Sequence, residues 1–399
     1  MSVEISDLAQ PAPSRIVLVV IDGLGGYADA QRGTELEEAR TPNLDRLASE
    51  GAVGLLDPVG PGITPGSGPG HLALFGYDPL TYELGRGALS AAGLEVEVRA
   101  GDVAARGNLA TVDDRGVVVD RRAGRIGDEE AAKVVRLLSE RLDLDGVEIE
   151  LAHEAQHRVL VVLRGDGLDP AVTDTDPQKV GVAPNAPIAL TPAAARTAAL
   201  VAELSRQVRE LLAGEARANA LLLRGFDTHR VLPTMQERFK LNPAAVAVYP
   251  MYRGIAKLVG MHVLPRPSGL DEQVAQMAAH WDDHDYFFFH HKPADSAGED
   301  GNFEAKVAAI EDIDAAMAAI AALGPDVLAV TGDHSTPSQM AAHSWHPVPA
   351  LVWSPRVGRD QADRFGERWC RGGGLGHRRT VELMPVLLAC AGRLAKYGA

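Results

Sequence analysis

The chain has 399 residues, 46% of them hydrophobic and 23% charged, with a net charge of −15 when histidine is neutral. That length favours two domains over a single core, and the acidity excludes wrapping a nucleic acid backbone or lying on an anionic membrane surface. Only Cys370 and Cys390 are present, far apart and near the C-terminus, which excludes a disulfide scaffold or a thiolate metal site and points to the reducing cytoplasm.

Met1 to Pro13 holds two acidic residues and no basic one, so it does not read as a signal peptide and is expected to be a loose tail. Ile16 to Ile21 is a β-branched run without alternation, as in a parallel strand covered on both faces, and it ends in Asp22-Gly23. Such runs are strand-length, far below the roughly 20 residues of a membrane-spanning helix. Thr41-Pro42 opens a helix, with Thr as N-cap and Pro at the first helical position, and Gly51 ends it. Pro58 to Pro79 is rich in Gly and Pro and predicts an irregular loop, in which Ser67 is flanked by Gly66 and Gly68. Ser67 is the candidate nucleophile there, with an ordinary turn serine as the alternative.

From about Glu95 the texture changes. Strands are predicted over 95–99, 104–110, 117–120, 147–151 and 158–163, and helices over 128–142 and 192–212, which is the pattern of an inserted α+β domain. It carries Arg121, Arg122 and Arg125 around Gly124, then His157-Arg158 and Arg224; arginines so grouped either form a charged surface or clamp a carboxylate or phosphate. After Leu241 the long apolar runs return. Ala244 to Val248 and Tyr286 to Phe289 read as strands, the second running toward Asp295 with Glu299 four residues on. Phe303, Val307, Ile310, Met317 and Ile320 mark the buried face of a helix. Val327 to Val330 is a further buried strand, Gly332 lets the chain turn, and Asp333 and His334 emerge together, with His343 nine residues on.

One rule joins these pieces. In open α/β sheets ligands bind beyond the C-terminal ends of the strands, so Asp22, Asp295 and the Asp333-His334 pair should meet at one edge. Carboxylates crowded there repel one another unless cations neutralise them, and carboxylate and imidazole donors without thiolates suit divalent ions. Two such ions about 3.5 to 4 Å apart are a common device for stabilising the entering and leaving oxygens of phosphoryl transfer.

With those residues assembled, the chain resembles the cofactor-independent phosphoglycerate mutases of the archaeal type, within the alkaline phosphatase superfamily. The resemblance rests on Asp22-Gly23, Thr41-Pro42-Asn43-Leu44-Asp45, Pro65-Gly66-Ser67 with His71, Gly76-Tyr77-Asp78-Pro79 and Gly85-Arg86-Gly87. It continues through Asp120 to Arg125, Asp174 to Pro177, Tyr252-Arg253-Gly254, Asp295 with Asp300 to Phe303, Thr331 to Pro337 and His343. The resemblance implies a mostly parallel α/β sheet with helices on both faces and interconversion of 3-phosphoglycerate and 2-phosphoglycerate through a phosphoserine on Ser67. It also implies two divalent metal ions and no 2,3-bisphosphoglycerate. By motif, Asp22, Asp333 and His334 match ligands of the metal beside Ser67, and Asp295 and His343 match ligands of the second.

Two positions depart from the pattern: Gly68 stands where many relatives have Asp, and Glu299 stands where the wider superfamily offers His. Glu299 is still expected to join Asp295 and His343 on the second ion, as Ser67 joins Asp22, Asp333 and His334 on the first, and a carboxylate at 299 favours Mn²⁺ ahead of Mg²⁺ or Zn²⁺. The expectation is therefore a metal-binding phosphotransfer domain over 1–90 and 240–399, interrupted by a substrate-binding α+β domain over 91–239. Arg122, Arg125, Arg253, Arg86 and Arg158 are the candidates for holding a small phosphoglycerate substrate. A metal-dependent phosphohydrolase or another phosphomutase on the same site is the alternative, and a binding protein keeping the metals only for structure is a further one.

Overall fold

The computed structural model describes residues 4–228 and 231–398. The chain divides into two compact units, one of residues 1–83 and 232–399 and one of residues 84–231. In chain order the larger unit opens with β1 (Ile16–Ile21) and β2 (Ala52–Asp57). The smaller unit holds β3 (Val103–Val112), β4 (Val118–Asp120), β5 (Glu148–Ala155), β6 (Arg158–Arg164) and β7 (Ala220–Thr228). The larger unit resumes with β8 (Pro243–Val246), β9 (His262–Val263), β10 (Tyr286–His291), β11 (Val327–Thr331), β12 (Val348–Trp353) and β13 (Gly376–Arg379).

The larger unit is an α/β structure on one sheet of order β13-β2-β12-β11-β1-β10-β8-β9. Among the described residues only β12 runs against its neighbours β11 and β2, and every other pairing in this sheet is parallel. Parallel strands need cover on both faces, and all six residues of β1 are buried. On one face Val17, Val19, Phe287, Phe289 and Val330 pack with Ile310, Ile313 and Met317 of the Phe303–Ala322 helix and with Leu44 and Leu47. On the other, Phe288 meets Phe75 edge-on at 4.8 Å between ring centroids.

The smaller unit is an antiparallel sheet in which β3 pairs β4, β6 and β7, and β6 pairs β5. Helices Asp128–Arg141 and Ala195–Leu211 cover one face, where Val135, Leu138, Val201 and Leu204 meet Ala105, Leu109, Val161 and Leu223. Residues of opposite parity on the same strands, such as Ala104, Leu160 and Val162, face Ala91 of the Arg86–Gly93 helix.

Several local expectations are corrected. The N-terminal segment is not a loose tail within the described residues. Ile5–Leu8 is a helical turn, the Ala395 N–H donates to the Leu8 carbonyl at 2.8 Å, and the fully buried Arg393 donates to the carbonyls of Ala12 and Ser14, each at 2.6 Å. A buried guanidinium must fill its donors, and these carbonyls do so. Residues 95–99 form no strand. Their alternation comes from Val96 and Val98 packing on Ala91, Ala104, Leu160 and Val162 after the unforeseen Arg86–Gly93 helix. Thr41 does not cap its helix through its side chain; the Asp314 carboxylate accepts from the N–H groups of Asn43 at 3.3 Å and Leu44 at 2.8 Å instead.

Candidate active site

Strand register brings the first acids together. β1 pairs Ile21 with His291 of β10 and Val20 with Thr331 of β11, so continuing both parallel ladders sets Lys292 and Asp333 beside Asp22. Gly23 has φ +65°, and a Cβ there would meet the Asp295 Cα at 2.9 Å. The loop after β1 therefore turns at once and lies backbone to backbone with the Pro293–Glu299 helix that carries Asp295.

Ser67 is not in an irregular loop. It is the first residue of the Ser67–Leu74 helix, after Gly66 as N-cap. The glycines that suggest a loop serve close approach here: a Cβ on Gly70 would lie 2.2 Å from the Asp333 carbonyl oxygen. The helix thus seats directly on the β11 loop, with Ser67 Oγ 3.2 Å from His334 Nε2. One turn on, His71 Nδ1–H donates to the Ser67 carbonyl at 2.8 Å and stands 3.2 Å from Asp333 Oδ2. Tyr252 lies near both His71 and His290, at ring centroid distances of 4.5 and 4.0 Å.

Hydrogen bonds set the histidine tautomers. Thr336 O–H donates to Asp295 Oδ1 at 2.7 Å, so its oxygen accepts from His334 Nδ1–H at 2.9 Å. The His334 Nε2 lone pair then faces Asp22 Oδ1 at 3.4 Å and Asp333 Oδ2 at 3.2 Å. His343 Nδ1–H donates to the Pro65 carbonyl at 3.0 Å, leaving Nε2 toward Asp295 Oδ1 at 3.6 Å. Donation of the second ring N–H to a carbonyl or hydroxyl is how metal-binding imidazoles are usually oriented.

Asp22, Asp333 and His334 form one set of donors, and Asp295, His334 and His343 another, the donor atoms in each lying within 4.8 Å of one another. Both oxygens of Asp22 and Oδ2 of Asp333 are buried without a hydrogen-bond donor, although Lys292 Nζ approaches Asp22 Oδ2 to 3.0 Å and also pairs with Asp295. Burial pushes the Asp22 carboxyl up, but Lys292 and His290 outweigh it and hold it well below the usual range. Burial pushes His334 down despite the neighbouring Asp333. Ionised carboxylates beside neutral imidazoles are the form that binds a divalent cation, so the residues fit such ions. Asp22, Asp333 and His334 would hold one; Asp295 and His343 would hold the other. Glu299 lies outside both sets, 58% exposed, with Oε1 3.8 Å from His343 Nε2.

The smaller unit carries a separate basic cluster. Its members sit on the sheet face opposite the two long helices: Arg106 pairs across with Arg224, and Arg158 with Asn108. Burial, and then Arg86 and Arg106, push the Arg224 guanidinium down to about 10. Burial, then Arg158, Arg122, Arg106 and Arg224, push His157 down to about 4. Arg86 is lowered by burial, with Asp174, Asp176 and Glu154 opposing. Arg121 is committed to a two-pronged pair with Asp176, at 2.8 and 2.7 Å. Of the arginines expected at a ligand, Arg86 and Arg158 join this cluster, and Arg122, itself exposed, reaches it through its charge on His157. Arg125 is exposed in a tight turn at φ +53°, and Arg253 in the larger unit donates from Nη1 to the carbonyls of Ala247 and Leu264.

A model of the 2,3-bisphosphoglycerate-independent phosphoglycerate mutase family matches residues 48–217. A Thermus thermophilus protein named "Probable 2,3-bisphosphoglycerate-independent phosphoglycerate mutase" is 56% identical over 400 residues, covering 99% of this chain and 98% of its own. The chain belongs to this mutase family. An Aquifex aeolicus relative of the same name is 48% identical over 99% of each chain. Among solved structures, a Pyrococcus horikoshii protein superposes with a TM-score of 0.82 at 29% identity, covering 98% of this chain and all of its own. A cofactor-independent phosphoglycerate mutase from Thermoplasma acidophilum gives 0.68 at 29% identity, covering 95% and 100%.

Within this mutase fold, sequence reasoning missed Lys292, Thr336 and Arg106. Lys292 carried a signal, since it follows a strand directly and stands three residues before Asp295. Arg106 carried a weaker one, a charge inside a strand of mainly small and apolar residues. Thr336 bridges His334 and Asp295 only because the loop after β11 meets the Pro293–Glu299 helix, and nothing local marks it.

Proposed function

We propose that this chain interconverts 3-phosphoglycerate and 2-phosphoglycerate by passing the phosphoryl group through Ser67. The observation that carries this reading is Ser67 Oγ, 3.2 Å from His334 Nε2 at the head of a helix seated on the Asp22, Asp333 and His334 donors. In the first half-reaction Ser67 Oγ bonds to phosphorus as the bond from phosphorus to the C3 oxygen of glycerate breaks. The serine hydroxyl gives up its proton and the departing oxygen takes one. In the second, the C2 hydroxyl of the retained glycerate gives up its proton as its oxygen bonds to phosphorus, the bond from phosphorus to Ser67 Oγ breaks, and Ser67 Oγ takes a proton. Divalent ions on the two donor sets would supply Lewis acidity, favouring ionisation of the Ser67 hydroxyl and neutralising phosphoryl charge. The oxygen-rich donors favour Mn²⁺ over Zn²⁺. Lys292 adds a fixed positive charge at the same sheet edge.

Water and glycerate compete for the phosphoserine, so a mutase must hold glycerate in place and keep solvent away. We assign the holding of its carboxylate to the basic cluster of the smaller unit, with Arg86, Arg106, Arg158 and Arg224 as its core and the exposed Arg122 and Arg125 as outer members. Six arginines, Arg86, Arg106, Arg121, Arg122, Arg158 and Arg224, stand against the carboxylates of Glu154, Asp174 and Asp176 there. That excess is a local anion site on an acidic protein.

The test is to give purified protein 3-phosphoglycerate and Mn²⁺ and follow 2-phosphoglycerate and free phosphate together. The expected result is 2-phosphoglycerate without matching phosphate release, no requirement for added 2,3-bisphosphoglycerate, and phosphate trapped on Ser67 by mass spectrometry after an acid quench. Free phosphate as the main product would replace this reading by a hydrolase.

A further inference from the structure

The Phe303–Ala322 helix carries a lysine that the chemistry above does not use. Lys306 is fully buried. Its ammonium donates to the Gly25 carbonyl at 3.0 Å and the Thr336 carbonyl at 2.9 Å, and lies 3.7 Å from Glu35 Oε2. Gly25 is three residues beyond Asp22, and Thr336 is two beyond His334 and itself bridges His334 to Asp295. One ammonium therefore joins the two loops that present three of the metal-binding side chains. Its counter-ion is tied to the same loops, since Glu35 Oε1 accepts from the Ser338 N–H at 2.7 Å. A second buried acid, Glu367, accepts from the Gly26 N–H at 2.8 Å and the Thr34 hydroxyl at 2.6 Å.

A buried charge pair is a costly way to hold two loops if stability is all that is required, because apolar residues of similar volume serve as well or better. Lysine does what an apolar residue cannot: it directs donors at two carbonyls at once and so sets the distance between them. We propose that Lys306, with Glu35 as its counter-ion, is a positioning residue that sets the spacing of Asp22 against His334 and Asp295. The proposal rests on the reading of these side chains as holders of divalent cations. It concerns the loops' geometry and assigns Lys306 no contact with substrate.

The test uses the full chain and Mn²⁺ itself, with affinity and stoichiometry read by calorimetry in the wild type, Lys306→Met, and the double variant Lys306→Met with Glu35→Gln. The single variant leaves Glu35 buried without its counter-ion and should lose thermal stability. The double variant removes that stranded charge and should recover most of the stability. If Lys306 positions the ligands, Mn²⁺ affinity stays depressed in the folded double variant by about 10- to 100-fold, the range for loss of an outer-shell partner. Wild-type affinity in the stable double variant would overturn the proposal and leave the metal-dependent reading standing. A wild-type chain that binds no divalent cation would overturn both.

Discussion

Ser67 and Thr336 are both hydroxyls in this site, and their neighbours give them different work. Ser67 Oγ points at His334 Nε2, the face of the imidazole turned to Asp22 and Asp333. Thr336 Oγ1 stands on the other side of the same ring, between Nδ1 and Asp295. Ser67→Ala should therefore abolish mutase turnover, by a factor on the order of 10⁴ or more as for other covalent nucleophiles, while the thermal transition and Mn²⁺ binding persist. Substantial 2-phosphoglycerate formation by the folded variant would falsify the covalent route. Thr336→Val keeps the shape but removes the bridge, freeing His334 to change tautomer and Asp295 to turn. Here the expected change is in Mn²⁺ affinity, weaker by about 10- to 100-fold, with kcat recovering toward wild type as Mn²⁺ is raised; unchanged affinity in calorimetry would count against the bridge.

At the scale of elements, the site depends on short helices placed by contacts from elsewhere in the chain. The Pro42–Glu50 helix looks self-sufficient in sequence, with Thr41 and Pro42 at its start, yet its first-turn N–H groups at Asn43 and Leu44 are taken by Asp314 from the Phe303–Ala322 helix. Asp314→Ala should lower the stability of the larger unit by about 1 to 2 kcal/mol, the usual size of a lost N-cap acceptor. Asp314→Asn, which keeps a carbonyl acceptor, should recover about half. Urea midpoints of the two variants check this, and equal midpoints for Ala and wild type would assign the cap to Thr41 after all. The Ser67–Leu74 helix illustrates the same dependence. Glycines at 68 and 70 lower helix propensity by about 1 kcal/mol each relative to Ala, which is why the segment reads as a loop. Packing against Asp333 rewards the same absence of side chains, because Gly70 has no room for a Cβ.

For the whole molecule, acid acts on stability through buried histidines. Burial pushes His157 down to about 4, assisted by the surrounding arginines, and burial likewise pushes His291 down to about 4, against the donation of its ring N–H to the Ala309 carbonyl. Both lie below the ordinary 6.5, so on acidification the unfolded chain takes up these protons before the folded one does. The metal-free protein should be most stable above about pH 6.5 and lose stability as pH falls from there toward 4, with His157→Gln flattening part of the slope in the smaller unit; thermal scans across that range provide the check, and a flat profile would contradict it. Among the described residues no helix is long and apolar enough to cross a membrane. The sequence alone determined the buried parallel strands, since unbroken β-branched runs such as Ile16 to Ile21 have few other stable uses. It also placed Asp22, Asp333 and His334 at a common edge, because a parallel sheet aligns its strand ends whatever loops follow. Tertiary structure alone decided which nitrogen of His334 faces the acids, that Lys292 and Lys306 share the site's surroundings, and that Glu299 reaches toward His343 from an exposed position outside the two donor sets. Those outcomes depend on contacts between residues far apart in the chain, which leave no spacing or period in the sequence to read.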